Sequence, residues 1–175
     1  MKKIKVQVSG TAPLLINKFI YNPEGNTRKK TVYIPEEEAE KKVYRNKEGK
    51  CYIPTKNFKA AMIKAGTDFK MSGRKTYKEY IKSGIFFEKE EAILNPEEYV
   101  IHAEQVCIQR AMVMSWRPKF ENWKTEFTMM VADDMLDKNM LKQILEAAGQ
   151  YKGVGSYRPE YGRFKIDSFE TISEE

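Results

Sequence analysis

The chain has no apolar run of about 18 residues, so it offers no helix able to cross a bilayer. Its N-terminus, MKKIKVQVSG, begins with lysines but continues in alternation, without the unbroken apolar stretch of a secretory leader. A cytoplasmic protein is the expectation. There are only two cysteines, Cys51 and Cys107, far apart and in no metal-binding spacing. Both are expected to be ordinary buried residues in a reducing compartment. One histidine, His102, is too few for a histidine-based metal site within one chain, and no metal or cofactor is expected. Signatures of nucleophilic triads, zinc proteases and phosphate-binding loops are missing as well. Most catalytic classes therefore lose their sequence support.

What is present is a basic, aromatic chain of folding size. Its 175 residues are 41% hydrophobic and 12% aromatic, enough for a core and unlike a disordered composition. The net charge is +6; without Glu170, Glu174 and Glu175 of the acidic tail it is +9. A basic body favours a polyanionic partner, nucleic acid above all.

Along the chain, KKIKVQV alternates as a half-buried strand, with Ile4, Val6 and Val8 inward. Leu14, Leu15 and Ile16 form a short buried patch, and an exposed loop over 21–31 carries Arg28, Lys29 and Lys30. Residues 36–42 suit a short helix after Pro35, and NKEG within VYRNKEGKCYIP suits a hairpin turn. Phe58, Ala61, Met62 and Ala65 recur at helical spacing, with Thr55 as cap and Gly66 as stop. Residues 67–82 read as a basic loop or short helix; GIFFE and AIL read as strands, and 99–114 as a long strand or bent pair. WKTEFTMMV alternates again. Asp133 and Asp134 are expected to open a second helix with a stripe of Met140, Leu141, Ile144, Leu145 and Ala148, ended by Gly149. RFKIDSFETI is the last strand. This order approximates βαββαβ, so one α+β domain over 1–175 is expected: a ferredoxin-like or RRM-like antiparallel sheet, two helices on one face, and insertions.

Three segments could carry function. GVGSYRPEYGRF (153–164) combines Gly153, Gly155 and Gly162 with Arg158 and Arg163 and with Tyr157, Tyr161 and Phe164. Glycine backbone can approach a phosphate, arginine can neutralise it, and aromatic rings can stack on bases. A plain turn between helix and strand, bent at Arg158-Pro159, explains the same residues. RAMVMSWRPKFENWKTEF (110–127) interleaves Arg110, Arg117, Lys119 and Lys124 with Trp116, Phe120, Trp123 and Phe127. Trp123 and Phe127 read as core, whereas Trp116, in an expected turn at Arg117-Pro118, reads as a stacking residue. The two segments share the form aromatic-Arg-Pro-x-aromatic. RKTYKEYIK, with Arg74 and Lys75, suits either a basic arm or a solvated face. Asp133-Asp134 read as helix capping rather than a metal site. His102 reads as a hydrogen-bonded strand residue; a metal-independent ribonuclease would need it beside an acid and a cation, and nothing in the sequence places them together.

GVGSYRPEYGRFKI, after a helix and before a final strand, resembles the glycine-rich loop of the RAMP superfamily, the ferredoxin-like RNA-binding proteins of CRISPR effector complexes and CRISPR RNA processing. Gly153, Val154, Gly155, Gly162 and Phe164 carry that resemblance. YIPTKNFKAAMIKAG, through Ile53, Pro54, Phe58, Ala60 and Ala61, is similar to the family's strand end and first helix, with Lys59 in place of a usual glycine. VQVSGTAPLLIN resembles its first strand. The resemblance implies RNA or single-stranded nucleic acid as ligand, and self-association or effector-subunit contacts along it. Two other readings stay open: a phage-encoded interaction module that mimics or inhibits such an effector, and a small endoribonuclease.

Overall fold

The computed structural model describes residues 1–21 and 32–174. The basic run Arg28–Lys30 lies outside the described residues. In chain order the elements are β1 (Lys2–Gly10), β2 (Leu14–Leu15), α1 (Pro35–Lys41), β3 (Tyr52–Pro54) and α2 (Lys56–Ala65). There follow β4 (Lys70–Ser72), β5 (Lys75–Thr76), α3 (Lys78–Gly84), β6 (Ile85–Phe87) and β7 (Glu91–Ile93). Last come β8 (Val100–Ile108), β9 (Ala111–Phe120), β10 (Lys124–Val131), α4 (Lys138–Ala147) and β11 (Phe164–Glu174).

The main sheet is antiparallel in the order β11-β1-β10-β6. Taken as β1, α2, β6, β10, α4 and β11, the chain traces the ferredoxin-like βαββαβ path. The alternation in β1 and β10 explains why this sheet has one dry face. Val6 sits opposite Phe127 and Ile4 opposite Met129, all buried. Phe58 of α2 and Leu141, Ile144 and Leu145 of α4 belong to the same buried core. Trp123 and Phe127 are core residues, as their alternation implies; the Trp123 indole donates to the Ala12 carbonyl at 2.9 Å.

The opposite face of β1 and β10 carries Lys3, Lys5 and Gln7 beside Glu126 and Thr128. Its charges pair locally: Lys3 with Glu88 at 3.0 Å, and Lys5 with Glu126 at 3.1 Å. The Gln7 amide donates to Glu126 and, with Lys5, holds that carboxyl below its ordinary value. An RRM stacks bases on sheet aromatics. β1 and β10 present no aromatic on this face, so the likeness to an RRM lies in strand order and not in a sheet-borne binding surface.

Several local expectations are corrected. The cap of α4 is Asp137, whose carboxylate accepts from the Asn139 and Met140 amides at 2.9 and 3.1 Å. Asp133 instead closes a preceding turn on Met135. Gly149 does not stop this helix; the chain widens into a π turn, Ala148–Lys152, and stops at Gly153 with φ +69°. Thr55 makes no side-chain cap, because its hydroxyl donates to the Lys89 carbonyl. Residues 67–82 form the small β4–β5 hairpin and the start of α3. Cys51 is buried as expected, but Cys107 is exposed.

A long insertion lies between β6 and β10. Within it, β8 and β9 pair from Val100–Lys119 to Ile108–Ala111. Gln109 and Arg110 turn the chain with φ of +47° and +68°, the double left-handed geometry of a two-residue hairpin loop. The base of β9 pairs with β2, Leu14 opposite Phe120, which anchors the arm to the core. Its far end is exposed and apolar, with Ile108, Met112, Val113 and Met114 all open to solvent.

Candidate nucleic-acid interface

The glycine loop is held by its backbone. The Gly153 amide donates to Ala148 O at 2.9 Å, Val154 to Gly162 O at 2.9 Å, Ser156 to Leu15 O at 2.7 Å and Gly162 to Pro13 O at 2.8 Å. Val154 is fully buried. The loop thus lies flat against the segment that precedes and forms β2. Glycine is required there: a Cβ on Gly155 would stand 2.6 Å from the Leu15 carbonyl oxygen, and one on Gly162 only 1.7 Å from that of Val154. These glycines serve close packing, and the Gly153 amide, expected to face a phosphate, is already occupied by protein. What the loop presents outward is its side chains. Tyr157 and Arg158 are exposed, Ser156 and Tyr161 are half-buried, and Arg163 is exposed at the loop's end.

The second segment is a strand, not a turn: Trp116, Arg117 and Lys119 lie in β9. Strand alternation then separates neighbours. Arg117 pairs across the hairpin with His102, and Trp116 with Ala103. Successive residues face opposite sides, so Arg117 meets the glycine loop and Trp116 does not. Arg117 Nη1 donates to Ser156 Oγ at 3.3 Å, and the His102 ring lies 5.5 Å from that of Tyr161. The Trp116 ring neighbours Tyr33 instead, at 6.3 Å. Arg117 of the first aromatic-Arg-Pro motif therefore meets the glycine loop at Ser156, the residue just before the second motif.

This junction is dense in polar groups. His102 Nε2 is 3.5 Å from Glu104 Oε2. Both atoms, and Arg117 Nε, are buried without a hydrogen bond among the described residues. Lys42 reaches in from the end of α1, donating to Ser115 Oγ at 3.1 Å and Trp116 O at 2.9 Å. Burial, and then the Arg117 charge, lower its pKa. Lys119 is paired to Glu121 at 3.2 Å.

On the other side of Ser156 the loop borders a concavity of about 340 Å³. Its lining includes Asn17, Tyr44, Asn57, Tyr157 and Arg158, with the almost fully buried Ile16 and Ile53 beneath. Lys42, Asn17, Tyr44 and Asn57 were not legible as site residues: Asn17 and Asn57 lie within segments that resemble the family but are not the positions that carry the resemblance, and Lys42 and Tyr44 stand in no motif.

Other expected contacts lie elsewhere. Arg110 sits in the hairpin turn, about 20 Å or more beyond His102 at the usual rise of roughly 3.3 Å per strand residue. Arg74 and Lys75 belong to the separate β4–β5 hairpin. Among the described residues no group of His, Cys, Asp and Glu is arranged to hold a metal ion, and no helix is long and apolar enough to cross a membrane.

No family model matches the chain, and no curated protein matches its sequence. Its fold is similar to that of a chain in the type III-B Cmr-beta complex bound to cognate target RNA, solved by cryo-electron microscopy. The TM-score is 0.65 and the identity 9%, over 98% of this chain and 61% of that one. This chain thus spans about three fifths of that neighbour's length, and what the two share is the ferredoxin-like fold.

Proposed function

We propose that this chain binds RNA or single-stranded nucleic acid without cleaving it, as a RAMP-like subunit that takes its place along the strand in an effector-type assembly. The observation that carries this reading is the meeting of the glycine loop with the base of the β8–β9 hairpin. There Arg117 hydrogen-bonds Ser156, Arg158 lies two residues on, Tyr157 is exposed and its ring meets that of the half-buried Tyr161 edge to face. Cations for phosphates and rings for bases are what a sequence-tolerant single-strand site needs. The fold neighbour, part of an RNA-bound complex, supports the same reading.

Fluorescence anisotropy with a labelled single-stranded RNA of mixed sequence tests it. With about four cations on phosphates, the affinity should fall roughly 50-fold between 50 and 200 mM salt, at about −0.7 in log–log slope per contact. Arg117→Ala should weaken binding and flatten the slope by roughly one contact. Absence of binding to RNA and single-stranded DNA at low salt would remove the proposal. A stable protein complex formed by a chain without nucleic-acid affinity would instead favour the interaction-module reading.

One arrangement favours a second reading. His102 neighbours both Tyr161 and its cross-strand partner Arg117, residue types able to serve as base, acid and cation. A ribonuclease of this kind would cleave RNA in EDTA and lose that activity in His102→Ala; RNA left intact after long incubation dismisses it.

A further inference from the structure

We infer that the concavity beside Ser156 takes one unstacked nucleotide of the bound strand and reads its base. The inference rests on the nucleic-acid reading above and assigns a specificity site within it. Its first support is size. About 340 Å³ is at the lower end of small-molecule sites. That is far more than a lone phosphate needs and too little for a duplex.

The second support is the chemistry of the lining. A site for phosphate alone would be lined by cations and amides. Here Arg158 is the one cationic residue among the described lining residues, beside two tyrosines, two isoleucines and two asparagines, and Lys18 Nζ approaches the Tyr44 ring. Rings stack on a base, carboxamides pair with its edge, and a guanidinium holds the attached phosphate. Asn57 is oriented for this. Its Nδ2 donates to the Pro54 carbonyl at 3.0 Å, and a carbonyl can only accept, so the amide cannot be turned round. Oδ1 remains able to accept a hydrogen bond from a base amino or imino group. The Tyr44 ring packs against Tyr52, centroids 5.5 Å apart and tilted by 46°, and Lys18 Nζ lies 5.8 Å from its centroid.

The third support is independent of the cavity. Tyr157 has φ +57°, a left-handed conformation that costs a bulky residue free energy, yet the residue is 57% exposed. Core packing is therefore not what the strained backbone secures. It sets an aromatic ring at the rim of the concavity. Strain retained by an exposed aromatic is expected where the ring meets a ligand.

The test uses the full chain and four labelled RNA homopolymers, rA, rC, rG and rU, at one low salt concentration. Unmodified protein should prefer one base by roughly tenfold. Asn57→Ala should erase that preference while leaving the salt slope unchanged, because no phosphate contact is lost. Tyr157→Gly, which relieves the left-handed strain and should fold normally by thermal melt, should weaken binding to the preferred homopolymer about tenfold or more. An unchanged base preference in Asn57→Ala together with unchanged affinity in Tyr157→Gly would overturn the inference while leaving general strand binding intact. Failure of every homopolymer to bind would overturn the underlying functional reading as well.

Discussion

Gly162→Ala should lower the stability of this protein by about 3–5 kcal/mol, seen as a fall of roughly 10 °C in melting temperature for a chain of this size. Two separate costs add. The residue has φ +81°, which costs an alanine about 1–2 kcal/mol. Its Cβ would also stand 1.7 Å from the Val154 carbonyl oxygen, far inside contact distance. Relief requires the turn closed by Val154 N–H to Gly162 O to open, and with it the docking of Gly162 N–H on Pro13 O. Gly49 provides the control. It has the same φ of +81° but nothing within 4 Å of its Cβ position. Gly49→Ala should therefore show the conformational cost alone, about 1–2 kcal/mol. Equal melting temperatures for the two variants would refute the packed-loop account.

Phe58→Ala should be similarly severe, about 3–5 kcal/mol by chemical denaturation. Phe58 is fully buried on α2, with its ring 4.5 Å from Phe127 of β10 and 5.4 Å from Phe164 at the start of β11. Removing it leaves a cavity where helix, central sheet and the end of the glycine loop meet. Phe86, the second residue of β6, is the comparison within the same chain: it is 47% exposed, its ring 5.1 Å from Lys59 Nζ. Phe86→Ala should cost about 1 kcal/mol or less, since little apolar area leaves contact. A Phe58→Ala loss no greater than that of Phe86→Ala would contradict the described core.

Both variants bear on the site, because the loop that carries Tyr157 and Arg158 is positioned by buried packing. Arg117 is half-buried and outside the hydrophobic core, so Arg117→Ala should change binding with little loss of stability, whereas Gly162→Ala should disturb binding and stability together.

The helical stripes and strand alternation were legible because they are local. Ile4, Val6 and Val8 alternate by the geometry of the pleat, and Leu141, Ile144 and Leu145 recur by the helical turn. That periodicity, with the order of elements, was enough for the ferredoxin-like plan. Capping was less legible, because Asp133, Asp134 and Asp137 are equivalent as residue types and only the chain path selects Asp137. The exposure of Cys107 also escaped the pattern, since a two-stranded arm projecting from the core buries neither face of its outer half.

The sequence by itself determined the basic aromatic character of the chain, the glycine spacing and the elements that flank the loop. Only the tertiary structure decided which of those residues meet. Arg117 faces the glycine loop and Trp116 does not, because one step along a strand reverses the side-chain direction. Gly155 and Gly162 proved to be spacers against β2 and Val154, because the identity of the backbone lying opposite them is a long-range fact. Asn17, Tyr44 and Asn57 come from separate segments, two connections and the first turn of α2, to line one concavity with Arg158, a convergence set by sheet order and insertion length that no local pattern encodes.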